Sequence, residues 1–107
     1  MNKTEFFLFD YPRQQWDDVL LYLQSIKAYF MNDDTFNFNY GQVLGKKGKW
    51  EEAEEVFLQI RSEKILSDFT FISWLTKCFI MNGKPSQAWE NYLKTDSNRL
   101  ELNSKFS

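Results

Sequence analysis

The chain has 107 residues, 43% hydrophobic and 26% charged, which gives one globular domain at most and excludes a disordered chain. It contains no histidine and one cysteine, Cys78, so an internal disulfide, a thiolate zinc site and the commonest general base are all excluded. A net charge of -2 and a pI near 5.1 argue against broad binding to phosphate backbones, so no nucleic-acid partner is expected.

Residues 1–15 carry no clear period, and Pro12 argues against a helix running through them, so an irregular N-terminal segment is expected. Phe6-Phe7-Leu8-Phe9 is a short apolar run between Glu5 and Asp10, unlike the longer stretch behind positive charge of a signal peptide. No window approaches the length of a membrane span, so no membrane insertion is expected and the compartment reads as cytosolic or continuous with cytosol. Residues 16–31 read as a leading helix, because Trp16, Val19, Leu20, Leu23, Ile26 and Phe30 recur at three and four. Asn32-Asp33-Asp34 then supplies a stop and a new start, since short carboxylates cap the free N–H groups of a helix.

A first hairpin is expected over 34–64. Its first helix runs from about Thr35 to Lys46, with Phe36, Tyr40, Val43 and Leu44 on the buried face. Gly48 suits the left-handed turn that ends a helix. The partner helix starts near Trp50 with a stripe of Ala53, Val56, Phe57 and Ile60, and Glu51, Glu52, Glu54 and Glu55 fill its first turns. Ile65–Ser67 reads as a connector. A second hairpin follows over 67–95: one helix from Asp68 to Met81 with Phe69, Ile72, Leu75 and Phe79 inward, a turn at Asn82-Gly83-Lys84, and a helix from Pro85 carrying Ala88, Trp89, Tyr92 and Leu93. That helix fades by Lys94, and 96–107 reads as a loose polar tail.

The two hairpins superimpose with an offset of 35 residues. Tyr40, Leu44, Gly48, Ala53 and Phe57 fall on Leu75, Phe79, Gly83, Ala88 and Tyr92. Such self-similarity signals stacked helical repeats, which hold other proteins, so scaffolding is the first expectation and catalysis is not. Ala53 and Ala88 are the small points at which two helices approach closely. Fewer than three full units is thin for a stack, so self-association through uncapped ends is a further expectation.

Several sharper chemical readings lose to plainer ones. Gly45-Lys46-Lys47-Gly48-Lys49-Trp50 lacks the spacing of a phosphate-binding loop and reads as a solvated turn. The four glutamates after Trp50 could ligate a metal, but no other ligand type lies near, so a charged outer face is favoured. Asp33-Asp34 reads as a cap in preference to a cation site, and Cys78 as an inert buried thiol. No cofactor is expected, and the chain is not expected to be an enzyme. An alternative is a helical repeat that binds RNA, since pentatricopeptide proteins share the 35-residue period; the acidic balance weighs against it. Trp74, Phe71, Phe38, Trp89 and Tyr29 lie partly outside the main stripes and read equally well as core or as ligand-facing.

The pattern resembles the tetratricopeptide repeat. The first-helix positions of that family fall on Tyr40, Gly41 and Leu44, and the later ones on Gly48, Trp50, Ala53 and Phe57. The second unit departs at Thr76, Pro85 and Thr95, which replace the helix glycine, the aromatic after the turn and the final small residue. Longer strings, Asn32 through Tyr40, Ser62 through Ile65, Ser73 through Leu75, Cys78 through Asn82 and Lys84 through Lys94, are similar to the tetratricopeptide subunits of intraflagellar transport complex B, with the match covering about Asp17 to Lys94. The resemblance implies an all-α fold of antiparallel hairpins stacked as a short right-handed solenoid. It also implies a non-catalytic role in ciliary protein transport and cilium assembly, at the cilium, the ciliary base and in the cytoplasm. The implied partners are other complex B subunits and ciliary cargo. Family groove positions fall on Thr35, Phe38, Gln42 and Lys46, and on Thr70, Ser73, Lys77 and Met81. Because the proteins of that family are several times longer, the chain is expected to be a fragment, a splice form or an alternative-start product.

Overall fold

Periods of three and four recur along the sequence, and in the computed structural model every described element is helical, as the reading of an all-α fold expects. The structure describes the backbone of residues 13–106 and the side chains of residues 15–95. The chain divides into two compact units, Met1–Ile60 and Arg61–Ser107. The first holds α1 (Arg13–Ile26), a 3₁₀ turn (Lys27–Tyr29), α2 (Asp34–Lys46) and α3 (Trp50–Phe57). The second holds α4 (Glu63–Leu66), α5 (Phe69–Met81) and α6 (Pro85–Phe106).

In the first unit α2 packs against both α1 and α3. Trp16, Leu20 and Leu23 of α1 are buried, at the spacing that puts them on one face. Tyr40, Val43 and Leu44 of α2 and Ala53, Phe57 and Ile60 complete the core, and Val43, Leu44 and Phe57 lose all contact with solvent. Each such side chain contributes about 1.5–3 kcal/mol by leaving water. At Gly41 an added Cβ would lie 2.7 Å from Cδ1 and 2.8 Å from Cζ of Phe57. The Phe57 ring thus occupies the space that a side chain at position 41 would take.

The 35-residue offset reappears in the backbone hydrogen bonds. At the end of α2, Gly48 N–H donates to Gly45 O (2.9 Å) and Lys49 N–H to Leu44 O (2.9 Å). At the end of α5, Gly83 N–H donates to Ile80 O (3.1 Å) and Lys84 N–H to Phe79 O (2.8 Å). Both are six-to-one closures around a left-handed residue, with φ of 77° at Gly48 and 75° at Gly83. The helix starts repeat too. The Asp33 carboxylate accepts from Phe36 N–H at 2.8 Å, and the Asp68 carboxylate accepts from Thr70 N–H at 2.7 Å and Phe71 N–H at 3.4 Å.

In the second unit α5 packs along α6, and α4 rests on α5. Phe71, Ile72, Leu75, Cys78 and Phe79 of α5 and Ala88 of α6 are buried. The two hairpins differ where the sequence departs from the family pattern. Thr76 takes the place of Gly41, Asn91 that of Val56 and Tyr92 that of Phe57. Instead of a ring seated on a glycine, Asn91 is buried and its Nδ2 donates to Ile72 O (3.1 Å) and to Thr76 Oγ1 (2.9 Å). Tyr92 consequently swings outward and is 43% exposed, whereas Phe57 is fully buried.

Some boundaries differ from the sequence reading. The expected irregular segment 1–15 lies outside the described residues through Pro12, and α1 already begins at Arg13. The leading helix, read as 16–31, gives way to the 3₁₀ turn after Ile26. The division between units falls at Ile60, short of residue 64, and the connector at Ile65 is part of α4, whose N-terminus Ser62 caps through Ile65 N–H at 3.5 Å. The last helix, expected to fade by Lys94 with a loose 96–107, continues to Phe106; no Pro or Gly interrupts it after Pro85. Phe69, expected inward, is 59% exposed because it opens α5.

Candidate protein-binding surface

The groups that could have carried chemistry are engaged structurally. Lys47 forms an ion pair with Asp17, and the Lys46 ammonium lies over the Trp16 ring, 5.6 Å from its centroid. The lysines of the first turn are therefore drawn onto α1, a cation–π contact and a salt bridge that hold the end of α2 against it. Asp33 and Asp68 serve as caps. Cys78 forms no disulfide and has no solvent exposure. Among the described residues no group of His, Cys, Asp or Glu could hold a metal ion, and no helix is long and apolar enough to cross a membrane.

The groove residues of the first unit do not form one surface. Thr35 and Phe38 are half-buried and Lys46 is exposed. Gln42, expected to line a groove, is instead buried; its Nε2 donates to Phe38 O at 3.3 Å, and its Oε1 has no partner among the described residues. Its place between Gly41 and Val43 turns it inward on a helix that is buried on more than one side.

In the second unit the four expected residues line two adjoining concavities. Thr70, Ser73 and Lys77 line a shallow depression of about 280 Å³ with Phe69 and Trp74. Ser73, Lys77 and Met81 also line a cleft of about 360 Å³ along α5 and α6, whose walls include Ile72, Thr76, Ile80, Tyr92 and Thr95. Phe69, Ile80, Met81 and Tyr92 are all exposed large apolar side chains on this cleft, and Trp89 stacks on Tyr92 with ring centroids 5.9 Å apart. An open apolar wall with a few polar groups and one ammonium suits a protein segment.

Reading by period and family position missed Ile80 and Phe69 as surface residues. The signal was available at Ile80, an apolar residue off the Leu75–Phe79 stripe of α5. Of the aromatics left open, Phe71 is core, Phe38 and Trp74 are half-buried, and Trp89 and Tyr29 are exposed, the latter to 83%.

Comparison with known proteins agrees with the ciliary resemblance. The family model described as intraflagellar transport protein 56 matches residues 3–104. A curated protein of Caenorhabditis elegans, the intraflagellar transport protein 56 homolog, is 38% identical over 93 residues, which covers 82% of this chain and 16% of that protein. The chain therefore spans about a sixth of the length of that relative. No solved structure matches. With nearly the whole chain matched by the family model and more than a third of aligned positions identical in a relative, the chain belongs to the intraflagellar transport protein 56 family.

Proposed function

We propose that the chain is a non-catalytic interaction module of an intraflagellar transport complex, supporting protein transport into cilia and cilium assembly. Its partners on this reading are other complex B subunits and ciliary cargo, and its site of action is the cilium, its base and the adjoining cytoplasm. Family membership supports the cellular process. The observation that carries the molecular role is the α5–α6 cleft, which Ser73, Lys77 and Met81 line together with exposed Ile80 and Tyr92. A contiguous exposed apolar surface is costly in water unless something covers it.

The test is affinity capture of complex B subunits on the full chain. Enrichment is expected with the parent sequence and is expected to fall with Ile80→Glu, a solvent-facing change that leaves the helices intact. Ala53→Arg, which overfills the first hairpin, serves as the misfolded control. Equal recovery of subunits by all three chains would defeat the proposal. The lysines an RNA backbone would need are partly committed, Lys47 to Asp17 and Lys46 to Trp16, so no observation favours the RNA reading.

A further inference from the structure

The first unit carries a second concavity that no groove position of the sequence reading reaches. It is a cleft of about 330 Å³ between the 27–31 turn, the start of α2 and one face of α3. The turn is fixed in place by Asn37, whose Nδ2 donates to Met31 O at 3.1 Å. The apolar part of the lining is Met31, Phe36, Tyr40 and Val56. Phe36 packs against two rings, stacked on Phe30 with centroids 5.1 Å apart and tilted against Tyr40 at 5.7 Å. Two rings packed against Phe36 restrict its rotamers, so little of that side chain's entropy is lost on binding.

The charged lining is of mixed sign: Glu52 and Glu55 come from α3 and Lys27 from the 27–31 turn. Glu52 and Glu55 are exposed, lie one turn apart and have no ion-pair partner among the described residues, and neither has Lys27. Like charges one turn apart on a helix repel, and a cation placed between them removes that repulsion. From this charge pattern we propose that the cleft receives an amphipathic helix of a partner protein. That helix seats a Leu- or Met-sized side chain over Phe36 and Tyr40, directs a Lys or Arg to Glu52 and Glu55, and turns an acidic edge to Lys27. Uniformly basic segments are disfavoured by Lys27, and uniformly acidic ones by the glutamate pair. The mode is that of a helix laid in a groove, read by apolar anchors and flanking charge.

The probe is a fluorescent leucine-based helical peptide with lysine along one edge of its apolar stripe and glutamate along the other. Its anisotropy is titrated with the full chain. Saturable binding is expected, weakened about tenfold by the paired change Glu52→Gln and Glu55→Gln. The paired control Glu51→Gln and Glu63→Gln removes the same charge elsewhere and is expected to change the affinity less than about twofold. A peptide with its lysine edge replaced by glutamine should bind the parent chain as weakly as the lysine peptide binds the chain carrying both Glu52→Gln and Glu55→Gln. No saturable binding, or equal weakening by both paired changes, overturns the proposal. So does occupation from within: a photocrosslinker at Gln59 that joins the chain's own N-terminal residues, or a peptide-free dimer in sedimentation that Glu52→Gln with Glu55→Gln dissolves, assigns the cleft to this chain itself.

Discussion

At position 41 a methyl group would run into the face of a fully buried ring. The Phe57 atoms are within 2.8 Å of where a Cβ would stand. Replacing Gly41 with alanine gains about 1 kcal/mol of helix propensity and loses about 1–3 kcal/mol to overpacking. The clash wins because Phe57 is itself enclosed and cannot move aside cheaply. Gly41→Ala is therefore expected to lower the urea midpoint, and Phe57→Leu is expected to restore part of the loss when combined with it. A Gly41→Ala chain more stable than the parent would show that the ring can shift. Gly48 is needed for the opposite reason. Nothing lies within 4 Å of a Cβ there, yet its φ of 77° strains any side chain. Gly48→Ala should cost about 1 kcal/mol and Gly48→Asn measurably less, since asparagine tolerates the left-handed region. Thermal unfolding of the two variants, compared side by side, separates strain from lack of space.

Each hairpin begins its first helix with an aspartate that accepts backbone N–H groups, Asp33 for α2 and Asp68 for α5. Asp33→Ala and Asp68→Ala should each cost about 1 kcal/mol, read as loss of stability in denaturant titration. Asp33→Asn or Asp68→Asn should retain most of it, because the amide oxygen can still accept; a full loss with asparagine would mean that charge and not the hydrogen bond does the capping. The second hairpin has its own fastening, testable by a double-mutant cycle between Thr76→Val and Asn91→Leu. The two changes should be non-additive by about 0.5–3 kcal/mol, because both sever the bond from Asn91 Nδ2 to Thr76 Oγ1. Additive losses would place the importance of Asn91 in its bond to Ile72 O alone.

The same elements show what the sequence makes legible. Apolar period marked α1, α2, α3 and α5 because Trp16, Leu20 and Leu23, or Leu75 and Phe79, share one buried face. Gly48 and Gly83 were readable because a positive φ leaves few residue choices. The repeat of Asp33 at Asp68 was in the sequence at the same offset, although a search led by apolar residues passes over it. Phe69 and Tyr92 were not readable from period alone. Whether an apolar residue is covered depends on what lies opposite: the first position of α5 is open, and Asn91 rather than Tyr92 takes the inward place on α6. Gln42 reads as polar and outward by composition but is buried, which only packing around α2 decides. The continuation of α6 past Lys94 has no stripe to announce it. Of the groove, the second-unit residues line two adjoining concavities along α5, Thr70 in one and Met81 in the other, and the first-unit set was split by the inward turn of Gln42 and the reach of Lys46 to Trp16.

Over the whole molecule, charge and apolar exposure act together. With a net charge of -2 and large apolar side chains such as Met31, Phe69, Ile80 and Trp89 on the surface, little electrostatic repulsion keeps copies apart. Light scattering of the purified chain should peak near its pI of about 5.1 and fall as pH rises toward 8 and negative charge accumulates. Scattering that is flat across that range would mean the exposed apolar residues are too dispersed to associate. The three-residue turns that join α2 to α3 and α5 to α6 have a kinetic consequence. Each brings helices together that are near in sequence, so closing a hairpin costs little loop entropy and few contacts wait on distant chain segments. The bond from Asn91 to Ile72 spans only 19 residues. Folding should accordingly run on the microsecond-to-millisecond scale of helical proteins.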